Sequence, residues 1–323
     1  MRAMTSILEG RLLPLAGLCV AAALAAGCAG SRAGTSAGSG PAPVAALTLP
    51  LWPGTPPGTT PGGAGERSLE RAPDPVRGAI TRVTDITAPT LTLYRPARTS
   101  GASPAVLVFP GGGYQLLATD IEGTEICRWL TDSGVACILV KYRVPQPSGS
   151  TRHVQPLQDA QRAVGLVRTH AKEWGVDPGR VGILGFSAGG HVAALLSNHF
   201  ARRDYTPLDA ADAVSCRPDF TILIYPAYLV RAKDDPRLSP LVEPSANTPP
   251  TFLVQTMDDP IGPENSASYA LALRGAGVPA ELHLYPTGGH GYGLRPASGE
   301  VAIAWPGLAL RWLAGRGILP EQQ

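Results

Sequence analysis

The chain has 323 residues, of which 44% are hydrophobic and 16% charged, so it can form a large core and is not globally disordered. Its net charge of +2 is too close to neutral to indicate a nucleic-acid or membrane-surface partner. The six histidines lack H-E-x-x-H or similar metal spacing, which disfavours a zinc-dependent hydrolase, and we expect no cofactor.

The N-terminal segment has the pattern of an export signal. Arg2 and Arg11 precede an apolar run at 12–26, which is shorter than a transmembrane helix usually requires. The run ends in A-A-G-C, which resembles a bacterial lipoprotein signal in which Cys28 would be lipidated; a plain signal peptide is the alternative. Residues 1–28 therefore predict export to the periplasm or cell surface, with membrane attachment only through a lipid at Cys28.

The composition changes twice after the leader. Residues 29–47 consist mainly of Gly, Ser, Ala and Pro, which predicts a flexible linker, and we assign 48–323 to one catalytic domain. The Pro/Gly-rich stretch at 51–58 is loop-like, although Trp52 is expected to anchor it along the domain surface. Three cysteines lie in the domain, so at most one disulfide can form among them, and buried free thiols are the favoured interpretation.

The domain alternates apolar strands with amphipathic helices. Strands are predicted at 79–86, 90–94, 105–109, 135–142, 181–184, 220–225, 251–256 and 281–285, and helices at 122–132, 155–174, 191–199, 263–276 and 301–314. This alternation predicts an α/β fold, a doubly wound and mostly parallel sheet with helices on both faces. The segment at 226–250 has no amphipathic pattern long enough for a helical lid, so we expect no large lid.

The stretch V-G-I-L-G-F-S-A-G-G-H at 181–191 is the feature around which the chemistry is predicted. A strand, a G-x-S-x-G turn at Ser187 and a helix are typical of a nucleophile elbow, which exposes a serine hydroxyl above the sheet. A serine hydroxyl becomes a competent nucleophile only when a base removes its proton during attack. Ser187 is the predicted nucleophile.

Two later strand ends offer the partners in the order acid, then histidine. Asp258 and Asp259 follow the strand at 251–256, and His290, with a glycine on each side, follows the strand at 281–285. Either aspartate could instead cap the helix that starts near Glu264. His153, His170, His191, His199 and His283 are interpreted as structural residues.

A glycine run supplies candidate backbone donors for a developing negative oxygen. Pro110 and the three glycines after it end a strand, and the amides of Gly112 and Gly113, with that of Ala188, are the predicted oxyanion hole. A dinucleotide-binding loop is the competing interpretation, but the G-x-G-x-x-G pattern is absent.

Several short motifs in the same order resemble the α/β-hydrolase fold, specifically its bacterial acetylxylan-esterase-like and feruloyl-esterase-like branch. The motifs are L-W-P-G-T-P-P-G, F-P-G-G-G-Y with the following I-E-G, L-V-K-Y-R-V, D-P-G-R-V-G-I-L-G-F-S-A-G-G-H, D-D-P with the following N-S, and G-G-H-G-Y-G, and they span the chain from about Trp52 onward. In the related prolyl-oligopeptidase group the first aspartate of such a doublet is the acid, so the resemblance implies Asp258. Pro110 replaces the histidine of lipase-type loops, and Gly262 stands where valine is usual.

Together these features predict an exported serine esterase with the triad Ser187, His290 and Asp258. The expected substrate is a small-molecule or polysaccharide ester, with acetyl or feruloyl groups on xylan-type chains favoured. A prolyl-oligopeptidase-like peptidase, an arylformamidase-like amidase and a glycan-binding protein on a dead hydrolase scaffold are the alternatives.

Overall fold

The computed structural model describes residues 45–59, 65–97, 101–146, 149, 151–297 and 301–319. These residues belong to the compact unit Ala37–Gln323. The predicted signal with Cys28, and the predicted linker up to residue 44, lie outside the described residues.

The described chain forms thirteen strands, eight of which make the central sheet. The strands are β1 (Leu47–Pro50), β2 (Arg67–Ser68), β3 (Arg82–Thr84), β4 (Thr90–Tyr94), β5 (Ser103–Phe109), β6 (Leu117–Ala118), β7 (Ala136–Lys141), β8 (Val176–Phe186), β9 (Thr221–Ile224), β10 (Val230–Ala232), β11 (Asp235–Leu238), β12 (Thr251–Thr256) and β13 (Ala280–Tyr285). The spatial order of the central sheet is β1-β4-β7-β5-β8-β9-β12-β13. Only β4 runs against its neighbours; the pairings from β7 to β13 are all parallel.

Helices cover both faces of this sheet. They are α1 (Glu125–Asp132), α2 (Val154–Thr169), α3 (Ala171–Trp174), α4 (Ser187–Asn198), α5 (Ala210–Ala213), α6 (Glu264–Gly275) and α7 (Trp305–Gly315), with a π-helical turn at Asp120–Thr124 and 3₁₀ turns at Pro240–Val242 and Val301–Ala304. Side chains of α2, α4 and α6 pack in one hydrophobic core, and those of α1 and α7 pack in a second one. The predicted fold class is confirmed: the sheet is doubly wound and mostly parallel, with a core on each face.

The apolar runs in the sequence explain the centre of the sheet. β5, β9 and β12 are buried along their whole length, as expected for strands covered by helices on both faces. The observed bounds of β4 and β12 are the predicted ones. Carboxyl ends of parallel strands meet at one edge, so the turns that follow β5, β8, β12 and β13 gather there.

Residues 47–50 form a strand of the central sheet that the sequence did not predict, whereas the stretch at 51–58 is loop-like as predicted. β1 pairs with β4 along its full length. Trp52 is buried and its indole N–H donates to Asp159 Oδ1 at 2.8 Å. Asp159 also pairs with the buried Arg143, whose guanidinium donates to the carbonyl of Pro57 and to the hydroxyl of Thr59. This clamp fixes the segment to α2, so Trp52 is the anchor that the sequence predicts.

The cysteines of the domain do not all stay free. Cys127 on α1 and Cys137 on β7 form a disulfide, whereas Cys216 is a buried free thiol. The expectation of three free thiols is therefore wrong for the first two. The two cysteines are ten residues apart in the sequence, with a helix end, a turn and a strand start between them. The tertiary structure brings them together, and no sequence motif marks the pair.

The segment at 226–250 contains no α-helix; it forms the antiparallel β10–β11 hairpin and a 3₁₀ turn. Within the described residues, no helix is both long and apolar enough to cross a bilayer.

Candidate active site

Ser187 lies at a sharp turn between the end of β8 and the start of α4. Its φ of +50° falls in the left-handed region, which costs energy for any residue with a Cβ atom. The flanking glycines allow the turn: a Cβ at Gly185 would lie 2.3 Å from the carbonyl oxygen of Gly189, and one at Gly189 would lie 2.0 Å from that of Phe109. The segment has the strand, strained turn and helix expected of a nucleophile elbow.

His290 reaches the serine from the loop that follows β13. Its Nε2 lies 2.8 Å from Ser187 Oγ. Positive φ angles at Gly288, Gly289 and Gly291 shape this loop, and the ring of Tyr225 packs edge-on against the imidazole with centroids 5.0 Å apart. The structure therefore brings together the two side chains that the sequence places 103 residues apart.

The carboxylate that contacts His290 belongs to Asp259. Asp259 Oδ2 lies 2.8 Å from His290 Nδ1 and also accepts the side-chain amide of Gln255 at 2.7 Å, while Oδ1 accepts the backbone amide of Ile261. With the proton on Nδ1, His290 donates to Asp259 and its Nε2 accepts the hydroxyl of Ser187. The hydrogen bonds thus run without a break from carboxylate to hydroxyl.

The choice of Asp258 as the acid partner is contradicted by this geometry. Asp258 is exposed and points the other way, accepting the backbone amides of Gly288 at 3.2 Å and Gly289 at 2.9 Å. Burial would raise its pKa, but the amide of Gly289 and the other hydrogen bonds outweigh that effect and lower the pKa. Asp258 braces the backbone of the histidine loop, whereas Asp259 turns inward and is buried.

The glycine loop after β5 lies against the nucleophile. A Cβ at Gly111 would lie 2.8 Å from Ser187 Cβ, and a Cβ at Gly112, whose φ is +144°, would lie 2.0 Å from the carbonyl oxygen of Leu116. In the part of the chain that the structure describes, the amides of Gly112 and Gly113 donate to no protein acceptor. The amide of Ala188 lies in the first turn of α4, where backbone donors have no partner within the helix. Gly111 contacts the nucleophile and the amides that follow it have no protein acceptor, so the assignment of Gly112, Gly113 and Ala188 as the oxyanion hole stays a prediction.

Comparison with known proteins identifies the family of the chain. The BD-FAE family model matches residues 91–213, and the model of the prolyl oligopeptidase family matches residues 155–303. The crystal structure of an acetyl ester-xyloside bifunctional hydrolase from Caldicellulosiruptor lactoaceticus is similar to this one, with 34% sequence identity and a TM-score of 0.68, and the match covers 87% of this chain and 100% of that one. The chain belongs to the α/β-hydrolase esterases.

Curated relatives of this esterase-family chain extend beyond the matched region. An acetylxylan esterase from Xylanibacter ruminicola is 31% identical over 62% of this chain and 43% of its own length. Endo-1,4-beta-xylanase B from Butyrivibrio fibrisolvens is 34% identical over 62% of this chain and 34% of its own length. The chain therefore matches less than half the length of these two relatives.

A buried carboxylate that the sequence analysis gave no role connects two loops of the site. Glu122 Oε2 accepts the amide of Gly111 at 2.7 Å, and Oε1 accepts the hydroxyl of Tyr225 at 2.9 Å. That hydroxyl in turn accepts the amide of Gly293, three residues after His290, at 2.9 Å. Burial raises the pKa of Glu122, although the hydrogen bonds from Tyr225 and Gly111 oppose the shift. Its only sequence signal is membership of the I-E-G motif.

Asn265 connects the acid loop to the chain that follows β9 and was likewise given no role. Its Oδ1 accepts the amides of Leu229 at 2.8 Å and Val230 at 3.3 Å, and its Nδ2 donates to the carbonyls of Gly262 and Ile261. The side chain is buried, and its hydrogen bonds to Leu229 and Gly262 form away from water.

The other histidines have structural contacts. His191 is bonded through Nδ1 to the hydroxyl of Tyr114, His199 to the carbonyl of Leu241, and His283 to Glu281. Burial lowers the pKa of His191 to about 3, so this ring is neutral. Within the described residues no cluster of three or more His, Cys, Asp or Glu side chains could hold a metal ion.

Proposed function

We propose that this chain is an exported serine esterase that removes acyl groups, acetyl above all, from xylan-type polysaccharides through an acyl-enzyme. The observation that carries the proposal is the unbroken hydrogen-bonded line from Asp259 through His290 to Ser187. The similarity to an acetylxylan esterase and to an acetyl ester-xyloside hydrolase supports the substrate class.

The proposed acylation step uses the side chains of Ser187, His290 and Asp259 in turn. Ser187 Oγ attacks the ester carbonyl carbon while its proton moves to His290 Nε2, and Asp259 holds the Nδ1–H and stabilises the imidazolium. In this proposal the amides of Gly112, Gly113 and Ala188 donate hydrogen bonds to the negative oxygen of the tetrahedral intermediate. Collapse of the intermediate breaks the bond to the sugar oxygen, which leaves as an alcohol with the proton from Nε2.

Deacylation repeats these steps with water. His290 Nε2 takes a proton from the water that attacks the acyl carbon, and the carboxylic acid leaves as Ser187 regains its proton. The segment at 226–250 forms a hairpin and a 3₁₀ turn but no α-helix, and a site without a helical lid favours an ester on a polymer over a long free acyl chain.

Ser187→Ala tests the mechanism. We expect the variant to lose acetate release from acetylated xylan and hydrolysis of p-nitrophenyl acetate, with kcat lower by about a million-fold, because the nucleophile is gone. Wild-type protein should be labelled by a fluorophosphonate, and the exposed Ser215 gives the matched control Ser215→Ala, which should be labelled equally. Labelling or turnover retained by Ser187→Ala would refute the assignment.

A proline-specific peptidase is the second candidate, because the prolyl oligopeptidase family model covers Ser187, Asp259 and His290. Cleavage of a proline-containing anilide at a rate above that of p-nitrophenyl acetate would favour it. Parallel release of ferulate from feruloylated xylan would identify the other acyl group.

Export is the part of the proposal that rests on the leader sequence. The disulfide between Cys127 and Cys137 supports it, because such bonds persist in oxidising compartments. Cell fractionation tests export, and incorporation of labelled palmitate into wild-type protein but not into Cys28→Ala tests the lipid. A soluble, unlabelled wild-type protein would exclude the anchor.

A further inference from the structure

Tyr228 occupies a position between the nucleophile and the glycine loop. The amide of the preceding residue, Ala227, donates to the carbonyl of Ser187 at 3.1 Å, and the Tyr228 hydroxyl lies 3.9 Å from where a Cβ of Gly113 would stand. Tyr228 itself has a φ of +61°, a left-handed conformation that turns its side chain away from the course of a regular strand. Its hydroxyl therefore lies close to the glycine loop that carries the predicted oxyanion donors.

The ring of Tyr228 packs against two uncharged side chains, those of Tyr114 and His191. Tyr114 stacks on it with centroids 5.9 Å apart and an interplanar angle of 28°, and Tyr114 is buried with its hydroxyl 2.7 Å from His191 Nδ1. His191 also packs edge-on against Tyr228 at 5.8 Å. These contacts fix the orientation of Tyr228 and leave no counter-charge beneath it.

Arg152 adds a positive charge over the ring of Tyr228. Its guanidinium carbon lies 4.7 Å from the centroid of the Tyr228 ring, and the residue is exposed. Among the described side chains, no carboxylate forms an ion pair with it. A guanidinium packed over a ring keeps its N–H edge directed outward, in the geometry that binds a carboxylate through two parallel hydrogen bonds.

We propose that Arg152, held by Tyr228, is a subsite for the carboxylate of a uronic acid residue on the polysaccharide that carries the ester. This inference rests on the proposed function and refines its substrate class to acidic xylans. A neutral sugar or an acetyl group carries no negative charge that could pair with the guanidinium of Arg152. The carboxylate of a uronate beside the ester carries one, and it can accept two parallel hydrogen bonds from the planar guanidinium.

The experiment compares acetylated xylo-oligosaccharides that carry a glucuronic acid branch with the same oligosaccharides after the branch is removed. For wild-type protein we expect KM to be about three- to fivefold lower for the acidic form, the size of one exposed charge pair, with the difference shrinking in high salt. Arg152→Gln should bring the ratio of the two KM values close to one, and Arg152→Lys should restore only part of it, because lysine lacks the planar fork.

Arg316→Gln is the matched control. Arg316 is also exposed and lies over an aromatic ring, that of Trp312 at 5.3 Å, but it lines a surface pocket with Ala280 at the start of β13, at the opposite end of the sheet from the catalytic loops. This variant should keep the wild-type ratio. Equal KM values for both oligosaccharides with wild-type protein, or an unchanged ratio in Arg152→Gln, would overturn the subsite.

Binding to Ser187→Ala separates this inference from the esterase proposal. Calorimetry with the acidic and neutral oligosaccharides reports the subsite without turnover, whereas absence of acetate release by wild-type protein reports failure of the proposed reaction. Tighter binding of the acidic form that is lost on adding Arg152→Gln supports the subsite even if acetate is not released, and equal binding of both forms refutes it even if acetate is released.

Discussion

Two buried carboxylates, Asp159 on α2 and Glu122 in the turn before α1, have different kinds of partner. Asp159 faces the buried guanidinium of Arg143 and the indole N–H of Trp52, and this cluster holds the chain at 47–59 against the domain. Glu122 is bonded to the neutral donors Gly111 and Tyr225. Burial raises the pKa of both.

The different partners of Asp159 and Glu122 indicate different roles for the two carboxylates. An ion pair shielded from water holds its elements strongly when intact, and removing one partner leaves an uncompensated charge. The charge of a carboxylate that is bonded only to neutral donors is not cancelled by a partner and acts on nearby groups. A protonated His290 is close enough to lower the pKa of Glu122. We therefore interpret the Asp159 cluster as part of the stability of the fold and Glu122 as a positioning residue of the site.

The largest effect is expected inside the site, from the acid that the sequence did not select. Asp259→Asn should lower kcat by about ten-thousand-fold with little change in Tm, because an amide at this position favours the wrong tautomer of His290. Asp258→Asn should cost only about tenfold, since it weakens the bonds to Gly288 and Gly289 but leaves the proton path intact. Steady-state kinetics on p-nitrophenyl acetate measure both, and a greater loss in Asp258→Asn would reverse the assignment.

Breaking the ion pair tests the other half of the comparison. Asp159→Asn should lower the free energy of unfolding by about 3–5 kcal/mol, because it leaves the guanidinium of Arg143 buried and unpaired. Urea denaturation measures this, and kcat of the folded fraction should be unchanged. The double variant Asp159→Leu/Arg143→Met removes both charges and should recover part of the loss. A fall in kcat without a fall in stability would contradict the separation of the two regions.

Glu122→Gln should have a smaller effect than Asp259→Asn or Asp159→Asn. We expect kcat to fall by about ten- to a hundredfold with KM nearly unchanged, because the glycine loop and the histidine loop lose a shared charged acceptor. A carboxyl pKa raised by folding gives a stability that is complete below the unfolded pKa and declines as pH rises through the folded pKa. Glu122→Gln should lack that decline, which denaturation across a pH series measures. A purely structural residue would lower Tm and leave kcat of the folded fraction unchanged.

Much of the fold follows from local patterns in the sequence. The apolar runs that became β4 and β12 and the G-x-S-x-G turn are local features whose periodicity or steric demand is visible in a few residues. β1 could not be predicted in this way, because a four-residue strand in a Pro-rich stretch gains its stability from pairing with β4.

The site was predictable in its residue types but not in every contact. Asp258 and Asp259 are adjacent in one turn. The direction in which each side chain points depends on the folded conformation of that turn and on the backbone amides that each carboxylate accepts. Glu122 and the disulfide depend on contacts between elements that only the folded chain brings together. Side-chain contacts at long range are therefore the part that periodicity and spacing do not predict.

Ser187, Tyr114, Tyr225 and Tyr228 all adopt positive φ angles and all lie at the same edge of the sheet. Each such conformation costs of the order of 1 kcal/mol for a residue with a side chain, so the rest of the fold must hold this edge in place. An engineer seeking a more heat-resistant variant would gain by relaxing any of these four turns. Such a gain would come at the expense of turnover, because the relaxed backbone would move a hydroxyl or a ring away from the bond to be cleaved.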